Sequence, residues 1–206
     1  MDNDSLIATT EVSMEYAALK NEDHCPKGMY VIPSAESVLI WDAVLFVHQG
    51  YYADSILKFR IQFPTDYPSR APSVTFITDI LHPLISQKDG SLNLSVRFPH
   101  WRPKQDHIFH VLHWIKVIFK KQTLDNLKEA DCFNKEAFKR YNESVNSFSA
   151  LATQSAMLSQ SPSALYDVKK NDTQEALFFE TSKGDIDTMR ARLGLKSWPI
   201  STDSGN

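Results

Sequence analysis

In the run Ser55-Ile56-Leu57-Lys58-Phe59-Arg60-Ile61-Gln62-Phe63, the apolar Leu57, Phe59, Ile61 and Phe63 alternate with Lys58, Arg60 and Gln62. A period of two sends successive side chains to opposite faces of a pleated strand, so this run reads as a strand with one dry and one wet face. Working outward, residues 29–33 and 38–48 precede it as strands and residues 74–77 follow. Strands this close, joined by short turns, predict a four-stranded antiparallel meander. Residues 11–23 carry Val12, Glu15-Tyr16 and Leu19 at helical spacing and predict a first helix capped by Thr9-Thr10, which Cys25-Pro26-Lys27-Gly28 ends.

Beyond the sheet, residues 64–106 hold six of the ten prolines and read as a long irregular segment. Asp106 is expected to cap a second helix whose apolar face is Ile108, Val111, Leu112, Ile115 and Phe119. It ends near Lys120-Lys121, where cations suit the helix dipole. A third helix is expected over 134–151, with a core stripe of Phe138, Tyr141, Val145, Phe148 and Ala152. Residues 149–163, rich in Ser, Ala and Gln, read as a linker or frayed helix, and 185–193 as a short amphipathic piece with Ile186, Met189 and Leu193 on one side. The order is α+β, with no internal repeat. It divides into a flexible N-terminus (1–9), a folded domain (10–151), and a linker, short helices and tail (152–206).

Composition narrows the function. The 206 residues carry 22 Lys and Arg against 25 Asp and Glu, which leaves no basic footprint for nucleic acid or an anionic membrane. The six glycines lie ten or more residues apart, so neither a phosphate-cradling loop nor a dinucleotide fingerprint nor a serine-hydrolase elbow can form. Two cysteines, Cys25 and Cys132, make no disulfide framework and suit a reducing compartment. The acidic start, without a signal-peptide pattern, and the lack of a long apolar run predict a cytoplasmic or nuclear protein without a transmembrane segment. His107, His110 and His113 fan across a helix with no Cys or carboxylate cluster to complete a zinc site, so they read as surface or boundary residues and no metal or other cofactor is expected. Asp66 and Asp89 stand in separate turns and offer no acid–base pair. Lys116, Lys120 and Lys121 read as a solvated helix end.

Several motifs then stand in order: Gly28-Met29-Tyr30-Val31-Ile32-Pro33, Trp41, Phe63-Pro64-Thr65-Asp66-Tyr67-Pro68, Ala71-Pro72-Ser73-Val74-Thr75-Phe76, His82-Pro83-Leu84, Gly90-Ser91-Leu92-Asn93-Leu94 and Trp101-Arg102-Pro103. Across about residues 10–150 this series resembles the ubiquitin-conjugating enzyme (UBC-like) fold. Conjugating members carry His-Pro-Asn and, further on, a catalytic Cys within Gly-x-Ile-Cys-Leu. Here Leu84 replaces the asparagine and Asn93 stands at the matching cysteine position. An amide cannot accept ubiquitin as a thioester, and a leucine offers no donor to an oxyanion. No cysteine occurs between Cys25 and Cys132, both expected to lie away from the cleft. The resemblance thus implies a pseudoenzyme with a degenerate cleft of His82, Pro83, Leu84, Asn93 and Trp101. In it His82 keeps a structural role and Asn93 forms the loop.

Tyr30-Val31-Ile32-Pro33-Ser34, Phe98-Pro99-His100-Trp101-Arg102 and Gly194-Leu195-Lys196-Ser197-Trp198 are similar to segments of the fused-toes family, the AKT-interacting and crossbronx-like proteins. That resemblance implies an adaptor joining a Hook-type coiled coil and a companion subunit in vesicle and dynein transport. Phe178, Phe179 and Trp198 are its candidate partner-binding anchors. The alternative is a non-catalytic partner of an active conjugating enzyme that binds ubiquitin and assists polyubiquitin chain assembly.

Overall fold

The computed structural model describes residues 3–21 and 23–166. Phe178, Phe179, Trp198 and the expected amphipathic piece at 185–193 lie outside the described residues. The order is α1 (Asn3–Ala18), β1 (Met29–Pro33), β2 (Ile40–Phe46), β3 (Ile56–Gln62), β4 (Ser73–Phe76), α2 (Ile108–Val117), α3 (Lys121–Asp125), α4 (Lys135–Glu143), α5 (Val145–Ser159) and α6 (Pro162–Leu165). The sheet is the antiparallel meander β1-β2-β3-β4. Its register sets Trp41 against Ile61, Ala43 against Phe59 and Leu45 against Leu57, so the buried rows of β2 and β3 coincide. That inner face shares one core with the apolar face expected of α2: Ile108, Val111, Leu112, Ile115 and Phe119 are all buried. A one-residue slip would turn the whole apolar set to solvent, so the register is strongly specified.

The first helix begins eight residues earlier than expected, and residues 3–9 are helical rather than flexible. Thr9 and Thr10 sit inside it. Their hydroxyls donate back to the Ser5 and Leu6 carbonyls at 2.8 and 2.9 Å, which satisfies them without a cap. The third helix is two helices broken at Ser144, whose backbone is extended (φ −151°, ψ 84°). In one continuous helix, Tyr141 and Phe148 would stand about 10 Å apart along the axis. The break brings their rings to 5.0 Å, and both lie edge-on to Tyr51. The break also leaves Val145 exposed, outside the stripe.

The expected linker from 149 is instead helix α5, which runs across the 151/152 boundary and buries Ala152, Ala156 and Ser159. Ser159 Oγ accepts from Ile56 N at 2.9 Å, and Gln160 donates to the Asp54 carbonyl at 2.6 Å. The Lys58 ammonium donates to the carbonyls of Ala164 and Leu165. The C-terminal helices are therefore clamped onto the start and outer face of β3.

After β4 the chain doubles back through Gly90 (φ +71°), where Phe76 N donates to the Gly90 carbonyl at 2.8 Å. A Cβ at Gly90 would stand 2.1 Å from the Phe76 carbonyl oxygen, whereas one at Gly50 (φ +85°) meets nothing nearer than 3.7 Å. Gly50→Ala is therefore expected to cost about 1–2 kcal/mol from backbone strain alone. Gly90→Ala adds a backbone collision and should cost clearly more, about 3 kcal/mol or above. Thermal melts of the two variants against the parent chain check this, and equal losses would contradict it.

Candidate functional site

The segment that carries His82-Pro83-Leu84 and Asn93 is a hairpin beside β4. Ile85 bridges to Leu92, Ser86 N donates to the Ser91 carbonyl at 2.9 Å, and Leu92 N donates to the Val74 carbonyl at 2.9 Å. His82 is fully buried beneath it. Its Nδ1 accepts from Leu84 N and its Nε2 donates to the Ile118 carbonyl just past α2, both at 3.0 Å. Burial pulls the imidazole pKa down to about 4, so the ring is neutral, with one nitrogen donating and the other accepting. Leu84 is also fully buried, an apolar plug of the core, while its carbonyl accepts from Asn93 N at 3.0 Å.

The facing wall comes from forty residues downstream. Asn93 Nδ2 donates to the Asp131 carbonyl at 2.8 Å, and its Oδ1 accepts from Ser95 N at 3.0 Å to cap a 3-10 turn at Leu94–Val96. Asn134 N donates to the Pro83 carbonyl at 2.9 Å, and Asn134 Nδ2 to Gln87 Oε1 at 2.8 Å. Three hydrogen bonds thus fasten residues 131–134 across the hairpin. Asp131, Asn134 and Gln87 went unread in the sequence because no local pattern couples residues so far apart.

The same closure moves Cys132 from its expected remote place. It stands next to Asp131, the residue Asn93 touches. Its thiol is buried and donates to the Lys128 carbonyl at 3.2 Å. Burial, with the Asp131 and Glu129 charges, pushes its pKa up to about 11, so at neutral pH it is a thiol and a poor nucleophile. Cys25 donates to the Met29 carbonyl at 3.5 Å, and burial raises its pKa as well.

Trp101 does not join the cleft group through any hydrogen bond. Its indole donates to the Pro68 carbonyl at 2.8 Å and its ring packs against Tyr67 and Phe98, which pins the loop before α2 to the β3–β4 loop. Asp106 closes that loop by accepting from Arg102 N, Nε and Nη2, and the guanidinium holds its carboxyl below the usual range. Asp106 is consequently not the cap of α2. His107 is the capping residue, and the first helical amide, Ile108 N, donates to Glu15 of α1 at 3.3 Å. Glu15 also accepts from Tyr67 Oη and His107 Nδ1, both at 2.9 Å. A carboxylate on the buried face of the first helix, among Val12, Tyr16 and Leu19, was the sequence signal for this junction. The three α2 histidines have separate partners: His107 on Glu15, His110 Nδ1 accepting from His107 N, and His113 on the Asp23 carbonyl.

The Ubiquitin-conjugating enzyme family profile matches residues 11–156, and the chain belongs to that family. Within it, the similarity runs to fused-toes proteins. Protein crossbronx of Drosophila virilis is 31% identical over 182 residues, covering 85% of this chain and 72% of that protein. The crossbronx homolog of Anopheles gambiae is 30% identical over 190 residues, covering 89% and 82%. The AKT-interacting protein of Danio rerio is 33% identical over 153 residues, covering 74% of this chain and half of that longer protein. Among the described residues, no helix is long and apolar enough to cross a membrane.

The buried histidine sets a pH dependence. Its folded pKa of about 4 lies below the ordinary 6.5, so the unfolded chain takes up this proton first as pH falls. The stability is whole above pH 6.5, declines between 6.5 and 4, and levels off below 4. The loss is on the order of 3 kcal/mol. Urea unfolding followed by tryptophan fluorescence from pH 7.5 to 4.5 should show this decline in the parent chain and a flatter profile in His82→Gln. Parallel profiles would place the proton elsewhere.

Proposed function

We propose that this chain is a catalytically inactive ubiquitin-conjugating enzyme variant that works as a protein-binding adaptor. The observation that supports the reading is the bonding of Asn93, the residue that the sequence resemblance aligns with the family's cysteine position. Asn93 stands there with its amide bonded to Asp131 and Ser95, beside a buried Leu84 where conjugating members have asparagine. Neither side chain can form a thioester or steady an oxyanion. Cys132, the nearer of the two thiols in the fold, is protonated and enclosed. The similarity to crossbronx and AKT-interacting proteins supports an adaptor that joins a Hook-type coiled coil and a companion subunit in vesicle transport. Phe178, Phe179 and Trp198 are the anchors proposed for it, and a cytoplasmic location follows from that role.

An alternative role, as a ubiquitin-binding partner of an active conjugating enzyme, draws on one observation. Tyr30 and Ile32 stand 67% and 62% exposed on the outer face of β1, Tyr30 opposite Val44 and edge-on to Phe46, Ile32 opposite Asp42. Such an apolar sheet face suits a protein partner.

Two measurements test this reading, the first its inactivity and the second the choice between the two roles. Incubated with activating enzyme, ATP and ubiquitin, the chain is expected to form no thiol-sensitive adduct; an adduct abolished by Cys132→Ala would overturn the inactive reading. In a pull-down, the full chain is expected to retain a Hook-type coiled-coil segment, and a Phe178→Ala/Phe179→Ala/Trp198→Ala variant to lose most of it. Retention of ubiquitin or a ubiquitin-charged enzyme instead would move the protein into chain assembly.

A further inference from the structure

Helix α1 has one face in the core and an opposite, exposed face that carries no charged residue. Ala8, Val12 and Glu15 are buried, with Tyr16 edge-on to Trp41 at 5.4 Å. On the far side Leu6, Ile7, Thr10, Ser13, Met14 and Ala17 are all exposed, with Leu6 59%, Ile7 46% and Met14 53% accessible. Their spacing of three and four is that of a coiled-coil seam. No charged residue occupies the stripe. Its two hydroxyls are already satisfied, since Thr10 donates to the Leu6 carbonyl at 2.9 Å and Ser13 to the Thr9 carbonyl at 2.7 Å. Covering them therefore strands no donor, and the small Thr10 and Ser13 between Ile7 and Met14, with Ala17 beyond, allow close approach of a second helix.

Charge selects the occupant. Glu11 flanks the stripe, and α1 contains no Lys or Arg. An antiparallel second copy with full overlap from Leu6 to Ala17 centres between residues 11 and 12 and sets Glu11 against Glu11. A membrane-surface helix relies on a basic polar face, and the remaining face of α1 is in the core. We infer that the outward stripe of α1 docks an amphipathic helix of another protein, with an apolar seam on Leu6, Ile7, Thr10, Ser13 and Met14 and basic residues beside Glu11. This deepens the adaptor reading and rests on it for the existence of a helical partner.

The test uses the full chain and two synthetic helical peptides of equal length with a leucine seam, one flanked by Lys and one by Glu. The Lys-flanked peptide should bind at least ten-fold tighter and shift the amide resonances of residues 6–17. Thr10→Glu and Met14→Glu, both at exposed positions, should each weaken it ten-fold or more without changing the melting temperature by more than a few degrees. Tyr30→Glu on the sheet should leave it unchanged, and Glu11→Lys should reverse the preference between peptides. Shifts confined to β1 and β2, indifference to Thr10→Glu, equal binding to phosphatidylcholine vesicles, or an α1-dependent dimer of the chain alone would each overturn the inference. If the parent chain retains the Hook-type coiled coil but the Lys-flanked peptide does not map to α1, the α1 surface fails and the adaptor reading stands. If the parent retains no coiled coil yet the Lys-flanked peptide maps to α1, the adaptor assignment fails and the surface stands.

Discussion

The Glu15 carboxylate, 8% exposed and held by three donors, is the junction on which the rest of the molecule hangs. An unpartnered charge at that depth would cost several kcal/mol, so the three donors are a condition of folding rather than an addition to it. They come from three places: Tyr67 in the β3–β4 loop, His107 at the head of α2, and the first amide of α2. A single side chain thereby fixes α1, the loop and the helix start together. From α2 the constraint passes to the site, because the carbonyl of Ile118 holds His82 and His82 holds Leu84.

That sequence of contacts shows His82, Leu84 and Asn93 each bound into the fold by the protein itself. His82 serves the backbone through both ring nitrogens, which requires no substrate. Leu84 supplies apolar burial worth about 1.5–3 kcal/mol where an asparagine would need partners. Placing an asparagine there alone would enclose an amide at a cost of about 1–3 kcal/mol. Placing a cysteine at 93 would remove the bond to the Asp131 carbonyl, one of the three that fasten residues 131–134 across the hairpin. Positions 84 and 93 are linked directly, since Asn93 N donates to the Leu84 carbonyl at 3.0 Å.

What the sequence revealed and what it hid divide along the range of the interactions. The alternation of Leu57, Phe59 and Ile61 and the α2 stripe are local patterns, and strands and helix lie within a few residues of where those patterns put them. The break at Ser144 was invisible because Tyr141 and Phe148 keep helical spacing through it; only Tyr51, ninety residues earlier, calls for their rings to meet. Thr9 and Thr10 resembled a cap because their chemistry serves equally inside a helix. The Ser- and Ala-rich stretch after 149 resembled a linker because its burial depends on Ile56 and Lys58. His82, Pro83, Leu84 and Asn93 were legible as a group, while their partners Asp131 and Asn134 were not, and Trp101 belongs to the loop it braces.

The placement of α5 and α6 bears on how such a fold can join other proteins. Lys58 and Ile56 bind these helices to the β3 side of the outer sheet face, while Tyr30 and Ile32 of β1 remain bare. Pro33 further limits pairing at the β1 edge, since it has no amide to donate to an added strand. That limit favours contact through side chains over a shared ladder, and the outward stripe of α1 favours it by a different route, its hydroxyls being closed onto their own helix. Both surfaces are set by the buried core and the Glu15 junction, so they keep a fixed geometry to one another. That rigidity comes from a framework in which His82, Leu84 and Asn93 are themselves packed and hydrogen-bonded as structure.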